Sequence, residues 1–164
     1  MKKIFYTILP MLLFAIAVQG QNPSKEETQK FISYNLKQVV GHKIGDGETC
    51  LENYFSDDFR TLYLKKQVRT SGWLLQTLEL IIWENLEKIE VSENDFCGEL
   101  LIFFKSKVKG SFNALDPNIA KILKPDYYDR IFVVFPADKV ESMKRAFLNL
   151  SEIAKKENKD PFSN

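Results

Sequence analysis

The chain has 164 residues, of which 45% are hydrophobic and 27% are charged, and its formal net charge is +1. This length suits one domain with a sizeable core and leaves little room for a second domain. The near balance of 23 basic and 22 acidic residues argues against a nucleic-acid surface, which needs a strong excess of positive charge to displace counterions from phosphates.

The first twenty residues are typical of an export signal. Lys2 and Lys3 form a short basic start, and Ile4–Val18 form a nearly uncharged apolar run. Val18-Gln19-Gly20 then precede a predicted cleavage site before Gln21, and these residues are small or are tolerated at a signal-peptide cleavage site. The sequence therefore predicts a protein that works outside the cytoplasm.

The same apolar run is too short for a membrane anchor. It has about 15 residues, whereas a membrane-spanning helix needs about 20, and Pro10 interrupts it. Retention as an anchor is the alternative to cleavage near Gly20. We expect a mature chain, residues 21–164, that forms one domain, has no transmembrane segment and is periplasmic or secreted.

An amphipathic helix is predicted over Asn22–Val40. Ser24 and Glu27 have the spacing of a capping box, and apolar residues follow at helical intervals. Gly41 is a typical stop. The segment Gly41–Thr49, with three glycines, is predicted to be a loop.

The middle of the chain is rich in strand-forming residues. Aromatic and branched residues recur in short runs between turn-forming residues, which predicts about seven strands. The apolar spacing in Trp73–Trp83 also fits a buried helix, so that alternative stays open. The predicted strands are Leu51–Phe55, Arg60–Val68, Trp73–Trp83, Leu86–Val91, Gly98–Lys105, Val108–Phe112 and Arg130–Phe135.

Two further helices follow from capping and proline signals. Asp116 precedes a proline and predicts the start of a short helical insertion that Pro125 ends. Asp138 and Glu141 have the spacing of a second capping pair, and an apolar stripe continues over residues 138–156. This last segment is the most clearly amphipathic helix of the chain.

The order of these elements resembles the pleckstrin-homology-like fold. The resemblance is carried by Ile82–Ile89 in mid-chain and by Arg130–Phe135, which leads into the terminal helix. It implies an α+β fold, in which a bent, partly open antiparallel β-barrel has an N-terminal helix, a short helical insertion and a C-terminal capping helix. Through Pro23–Thr28 and Ala146–Leu150, the chain also resembles small exported bacterial proteins.

Many pleckstrin-homology domains bind inositol phosphates through basic residues of the first hairpin. The corresponding stretch here contains Glu52, Asp57 and Asp58 before Arg60. No basic signature can be carried over, and a shared fold does not imply a shared ligand.

No constellation for nucleophilic catalysis or zinc binding is present in the sequence. A nucleophile needs a base within reach, and His42 is the only histidine. One histidine and the distant Cys50 and Cys97 do not have zinc-ligand spacing. We therefore expect no enzyme activity, no metal and no cofactor.

Loop carboxylates leave one enzymatic alternative open. Asp46 and Glu48 alternate with glycines as in calcium loops, but the remainder of that pattern is missing. Asp57 and Asp58 are typical turn formers. A small metal-assisted hydrolase would need at least two carboxylates, such as those of Glu48, Asp57 or Asp58, to converge in one cleft.

Cys50 and Cys97 are the only cysteines. Export would place them in an oxidising compartment where a disulfide can persist. Two unpaired thiols, each acting as a small buried apolar residue, are the alternative.

Candidate binding residues lie in two places. Lys105, Lys107 and Lys109 alternate, so a continuous strand would place them on one face as a basic stripe, whereas a turn near residue 106 would scatter them. Tyr127 and Tyr128 follow the predicted insertion and could serve recognition or close the core. We expect a non-enzymatic exported module that binds a protein, peptide or envelope ligand; a structural envelope component that self-associates is a further alternative.

Overall fold

A computed structural model describes residues 22–69 and 72–159. The predicted export signal lies outside these described residues. The elements form an α+β chain, in which one helix precedes six consecutive strands, and a short helix, the seventh strand of the same sheet and a long helix follow. They are α1 (Lys25–Lys37), β1 (Lys43–Gly45), β2 (Glu48–Phe55), β3 (Leu62–Val68), β4 (Gly72–Glu79), β5 (Leu86–Ser92), β6 (Gly98–Ala114), α2 (Pro117–Ile122), β7 (Asp126–Phe135) and α3 (Val140–Glu157), with single 3₁₀ turns at Trp83–Asn85 and Ala137–Lys139.

The sheet is antiparallel throughout and curls into a half-barrel. Strands β1 to β4 pair in sequence order. The long β6 pairs with β7 along one edge, and its other edge is shared by β5 at Glu99–Phe104 and by β4 at Lys109–Ala114. Because β6 contacts three strands, it joins the two halves of the sheet.

Helix α3 fills the concave side of the sheet. Its Phe147 is fully buried and stacks on Trp83, with ring centroids 5.5 Å apart. Phe55 of β2 meets the same Phe147 ring edge-on at 6.3 Å. Helix α1 adds Ile32 and Leu36 to this core. Burial of these large side chains is the main source of stability, as expected from the hydrophobic effect.

Two asparagine side chains bridge the gap between β1–β2 and β6–β7, which we call the seam. Asn53 Nδ2 donates to the carbonyl oxygens of Val134 at 2.8 Å and Leu36 at 3.1 Å. Asn94 Nδ2 donates to the carbonyl oxygen of Ile44 at 3.1 Å. The half-barrel is therefore linked across the seam by side-chain amides in place of a strand ladder.

The strand count is confirmed, but the predicted division of the chain into strands is wrong at two places, and other strands differ in their end residues. Gly98–Lys105 and Val108–Phe112 form one strand, because a register shift against β7 between Phe103 and Val108 absorbs the irregularity without ending β6. The seventh strand is instead Lys43–Gly45, in the segment predicted as a loop. Pairing with β2 supplies the hydrogen bonds that its glycine-rich sequence does not favour locally.

The Trp73–Trp83 segment is a strand at first and then a turn. The strand ends at Glu79, Leu80 has a positive φ of 64°, and a 3₁₀ turn begins at Trp83. The helical alternative for this segment is wrong.

The helix starts were predicted with mixed success. Ser24 and Glu27 form the expected capping box of α1, although the helix ends at Lys37, before Val40. Asp116 caps α2 by accepting from the Asn118 backbone N–H at 2.8 Å. The predicted capping pair of α3, Asp138 with Glu141, is wrong: residues 137–139 form a 3₁₀ turn, and no side chain caps the helix.

Candidate binding surface

The three candidate lysines lie on a single strand. Strand β6 continues through Ser106, and exposure alternates along it, so Lys105 and Lys107 are exposed on the outer side of the sheet. Lys109 continues the row and forms an ion pair with Glu79 at 3.0 Å, which raises the pKa of the lysine. Neither Lys105 nor Lys107 has an ion-pair partner within 4.0 Å among the described residues.

The two tyrosines have different positions. Tyr127 lies opposite Lys109 on β7 and is 60% exposed. Tyr128 lies opposite Val108 and packs against the core. Its ring covers Gly110, where an added Cβ would come within 2.4 Å of ring carbon Cε2. Tyr127 therefore belongs to the outer surface, while Tyr128 closes the core margin.

A basic aromatic cluster lies at the other end of the lysine row. Phe103 is on the same side of β6, opposite Lys88 of β5 and Arg130 of β7. The Lys88 ammonium is 4.4 Å from the ring centroid, and the Arg130 guanidinium carbon is 5.4 Å from it. Both distances fit cation–π contacts.

Sequence reasoning missed this cluster for two reasons. The sequence would have indicated that Phe103 lies on the same side as the lysines only if residues 98–114 had been predicted as one strand. Lys88 and Arg130 could not have been placed beside it, because strand register is not visible in a single sequence. We call the outer side formed by Lys88, Phe103, Lys105, Lys107, Lys109, Tyr127 and Arg130 the lysine face.

The structure does not bring the candidate carboxylates together. Glu48 begins β2 and pairs with Lys66 at 2.7 Å, whereas Asp57 and Asp58 follow the opposite end of that strand. Asp58 accepts from the Ser56 hydroxyl at 2.6 Å, and this hydrogen bond lowers the pKa of the carboxyl group. Residues 22–69 and 72–159 contain no group of three or more potential ligands that could hold a metal ion.

Cys50 and Cys97 are free thiols in this structure, and the disulfide that was one of the two alternatives is not formed. They lie buried in one apolar cluster but not at disulfide distance. Burial raises the pKa of each thiol from 9.0 to about 11. The carbonyl of His42 accepts from the Cys50 backbone N–H at 2.9 Å, while the His42 side chain is exposed. The alternative in which Cys50 and Cys97 are unpaired, small buried residues therefore describes this geometry.

No protein-family model matches this chain, and neither a curated protein nor a solved structure matches it. Within the described ranges, every helix is too short or too polar to cross a membrane. Its function is therefore inferred from its own residues and their geometry.

Proposed function

We propose that this protein is an exported, non-enzymatic binding module that holds an acidic segment of a partner protein on its lysine face. The proposal rests on one observation: the unbroken β6 leaves Lys105 and Lys107 exposed and unpaired in the described part of the chain, in the same row as Lys109, which lies opposite the exposed Tyr127. Charged groups that are not already paired are available to a ligand, and tyrosine adds contact area at a low entropic cost.

The modest charge of this face favours a short acidic peptide over a long polyanion. Most other charges on it are compensated: Lys88 pairs with Glu90 at 2.6 Å, and Lys109 pairs with Glu79. A polyanion would need many free cations in a row. Two free lysines flanked by aromatic rings suit a few carboxylates between apolar side chains.

The half-barrel supports a pleckstrin-homology-like assignment as part of this proposal. Successive antiparallel strands curl around a terminal helix that fills the concave side, as the resemblance implies. The lysine face lies on the outer side of the sheet and is formed by β5, β6 and β7, whereas many domains of that fold bind phosphoinositides through the first hairpin.

Fluorescence anisotropy of a labelled peptide of alternating glutamate and alanine, with a basic peptide of equal length as control, tests the proposal. We expect saturable binding of the acidic peptide alone, weakened about tenfold or more by Lys105→Glu with Lys107→Glu, because close charge pairs become repulsive. Tyr127→Ala should weaken binding less.

The matched control is Lys155→Glu with Lys156→Glu, which makes the same change of net charge at the exposed end of α3. Equal weakening by both double variants would mean that net charge alone attracts the peptide. Absence of saturable binding to the unaltered protein would also refute the proposal.

A further inference from the structure

A second candidate site lies at one end of the half-barrel, on different elements from the lysine face. A cavity of about 240 Å³ opens between the β2–β3 turn, the connection after β4, and the ends of α1 and α3. We call it the terminal groove. A space of this size suits a small molecule.

The floor of the terminal groove is apolar. Ile81, Trp83 and Leu150 are buried beneath it, and Ile82 and Ala154 are half-buried along its length. The exposed parts of Ile82 and Ala154 offer a surface for an apolar group of a ligand, which gains by leaving water.

Two strained residues hold the walls of the groove. Phe59 and Leu80 are the only non-glycine residues with positive φ in the described part of the chain, at 58° and 64°. Such a conformation costs a bulky residue about 1–2 kcal/mol. Burial of the Phe59 ring, stacked on Phe55 at 4.9 Å, offsets the cost at one wall.

Leu80 has no such compensation, because its side chain is 50% exposed. Its backbone is held by hydrogen bonds between the two loops that form the walls of the groove. The Ile81 N–H donates to the Arg60 carbonyl at 3.0 Å, and Trp83 Nε1 donates to the Phe59 carbonyl at 2.7 Å. The two loops are thus fixed relative to each other around the groove, as a preformed binding site requires.

Three of the five charged side chains that line the groove already have a side-chain partner on another element. Lys25 contacts Glu157 at 2.6 Å, and the Asn158 amide donates to Glu84 at 2.6 Å. Arg60 is exposed and has no carboxylate within 4.0 Å among the described residues.

The Asp58 carboxylate lies two residues from Arg60 on the same turn. It accepts from the Ser56 hydroxyl and from the Arg60 backbone N–H, and these bonds lower its pKa and keep it ionised at neutral pH. The rim therefore presents a free guanidinium group and an ionised carboxylate beside an apolar floor.

We propose that the terminal groove binds a small zwitterion with an apolar side chain, the chemistry of a free α-amino acid such as leucine. The ligand carboxylate pairs with the Arg60 guanidinium, whose fork geometry matches it, and the ligand ammonium group pairs with Asp58. The ligand side chain lies along Ile82 and Ala154. This site does not depend on the function proposed for the lysine face.

Titration with L-leucine, followed by the NMR signals of the tryptophan indole N–H groups, tests the assignment. The chain has two tryptophans, so a Trp73→Phe variant identifies the Trp83 signal. We expect a saturable shift of the Trp83 signal alone. Leucine amide lacks the carboxylate, 4-methylpentanoate lacks the ammonium group and glycine lacks the side chain. The affinity of each should be at least about tenfold lower than that of leucine.

Two variants locate the charged contacts. Arg60→Gln should weaken leucine binding about tenfold or more, and Asp58→Asn should weaken it similarly while keeping the acceptor oxygen that the turn uses. Arg145→Gln, on the exposed side of α3, is the matched control and should bind leucine normally. Thermal unfolding of each variant verifies that the fold is retained.

Four results would overturn the proposal. Three of them are no saturable shift with leucine, binding of leucine amide as tight as that of leucine, and unchanged affinity in Arg60→Gln. Binding of the tripeptide Gly-Gly-Leu as tight as that of leucine would also overturn it, because the groove would then recognise a peptide C-terminus and not a zwitterion.

Discussion

Asn53 offers a direct test of how the half-barrel is closed. Its side chain is 2% exposed, and its amide donates to Val134 of β7 and to Leu36 at the end of α1. The last carbonyls of a helix have no partner within the helix, so Asn53 also caps α1. Replacing Asn53 by alanine would therefore release two elements from β2 at once.

The expected cost follows from these contacts. Two hydrogen bonds contribute about 1 kcal/mol each, and the two carbonyls left unpaired add roughly 1–2 kcal/mol together. Asn53 Oδ1 is buried without a hydrogen-bond partner, so its removal stabilises the variant by roughly 1 kcal/mol. We expect Asn53→Ala to lower the free energy of unfolding by about 2–3 kcal/mol, which lowers Tm by roughly 6–9 °C for a domain of this size.

Denaturant and thermal unfolding measure this change. Asn53→Leu has the same branched arrangement of heavy atoms but cannot form the hydrogen bonds, so it should lose nearly as much stability as Asn53→Ala. Asn113→Ala, at an exposed position of β6, should change stability by less than about 0.5 kcal/mol. An Asn53→Leu variant as stable as the unaltered protein would refute the account of the seam.

Three further predictions concern the core and the strained backbone. Leu80→Gly should be about 0.5–1 kcal/mol more stable than Leu80→Ala, because glycine adopts positive φ without strain; equal stabilities in urea unfolding would contradict this. Phe147→Asp should abolish cooperative unfolding, since it buries a charge in the core, and an unchanged Tm would refute the packing of α3. Cys50 and Cys97 should react with a thiol reagent at pH 8 only as fast as the protein opens, because both side chains are buried and burial also raises their pKa to about 11; rapid modification of the native protein would show accessible thiols.

Elements with strong local signals could be predicted from the sequence. The capping box at Ser24 and the apolar stripe of the terminal helix depend on residues a few positions apart, and the structure confirms both helices. The α+β class and the seven strands followed from similar local patterns. Local chemistry failed at Asp138, where the chain after Pro136 forms a 3₁₀ turn and the helix begins later.

Features that depend on distant partners could not be predicted. Lys43–Gly45 becomes a strand only because β2 pairs with it, and Leu80 keeps positive φ because the neighbouring loop fixes the chain around it. The lysine row was predicted on the condition that the strand is continuous. Its neighbours Lys88 and Arg130 could not be predicted, because their positions depend on the strand register. The terminal groove combines four separate segments of the chain, and no short motif marks it.

The central position of β6 has a consequence for the order of assembly. Strands β4 and β5 are made before β6, yet both pair with it, so their edges stay open until residues 98–114 are available. Open strand edges are templates for aggregation, and pairing between distant segments is slow. A nascent chain that ends before Gly98 would therefore expose unsatisfied edges, and the half-barrel can become cooperative only after β6 has joined both of its halves.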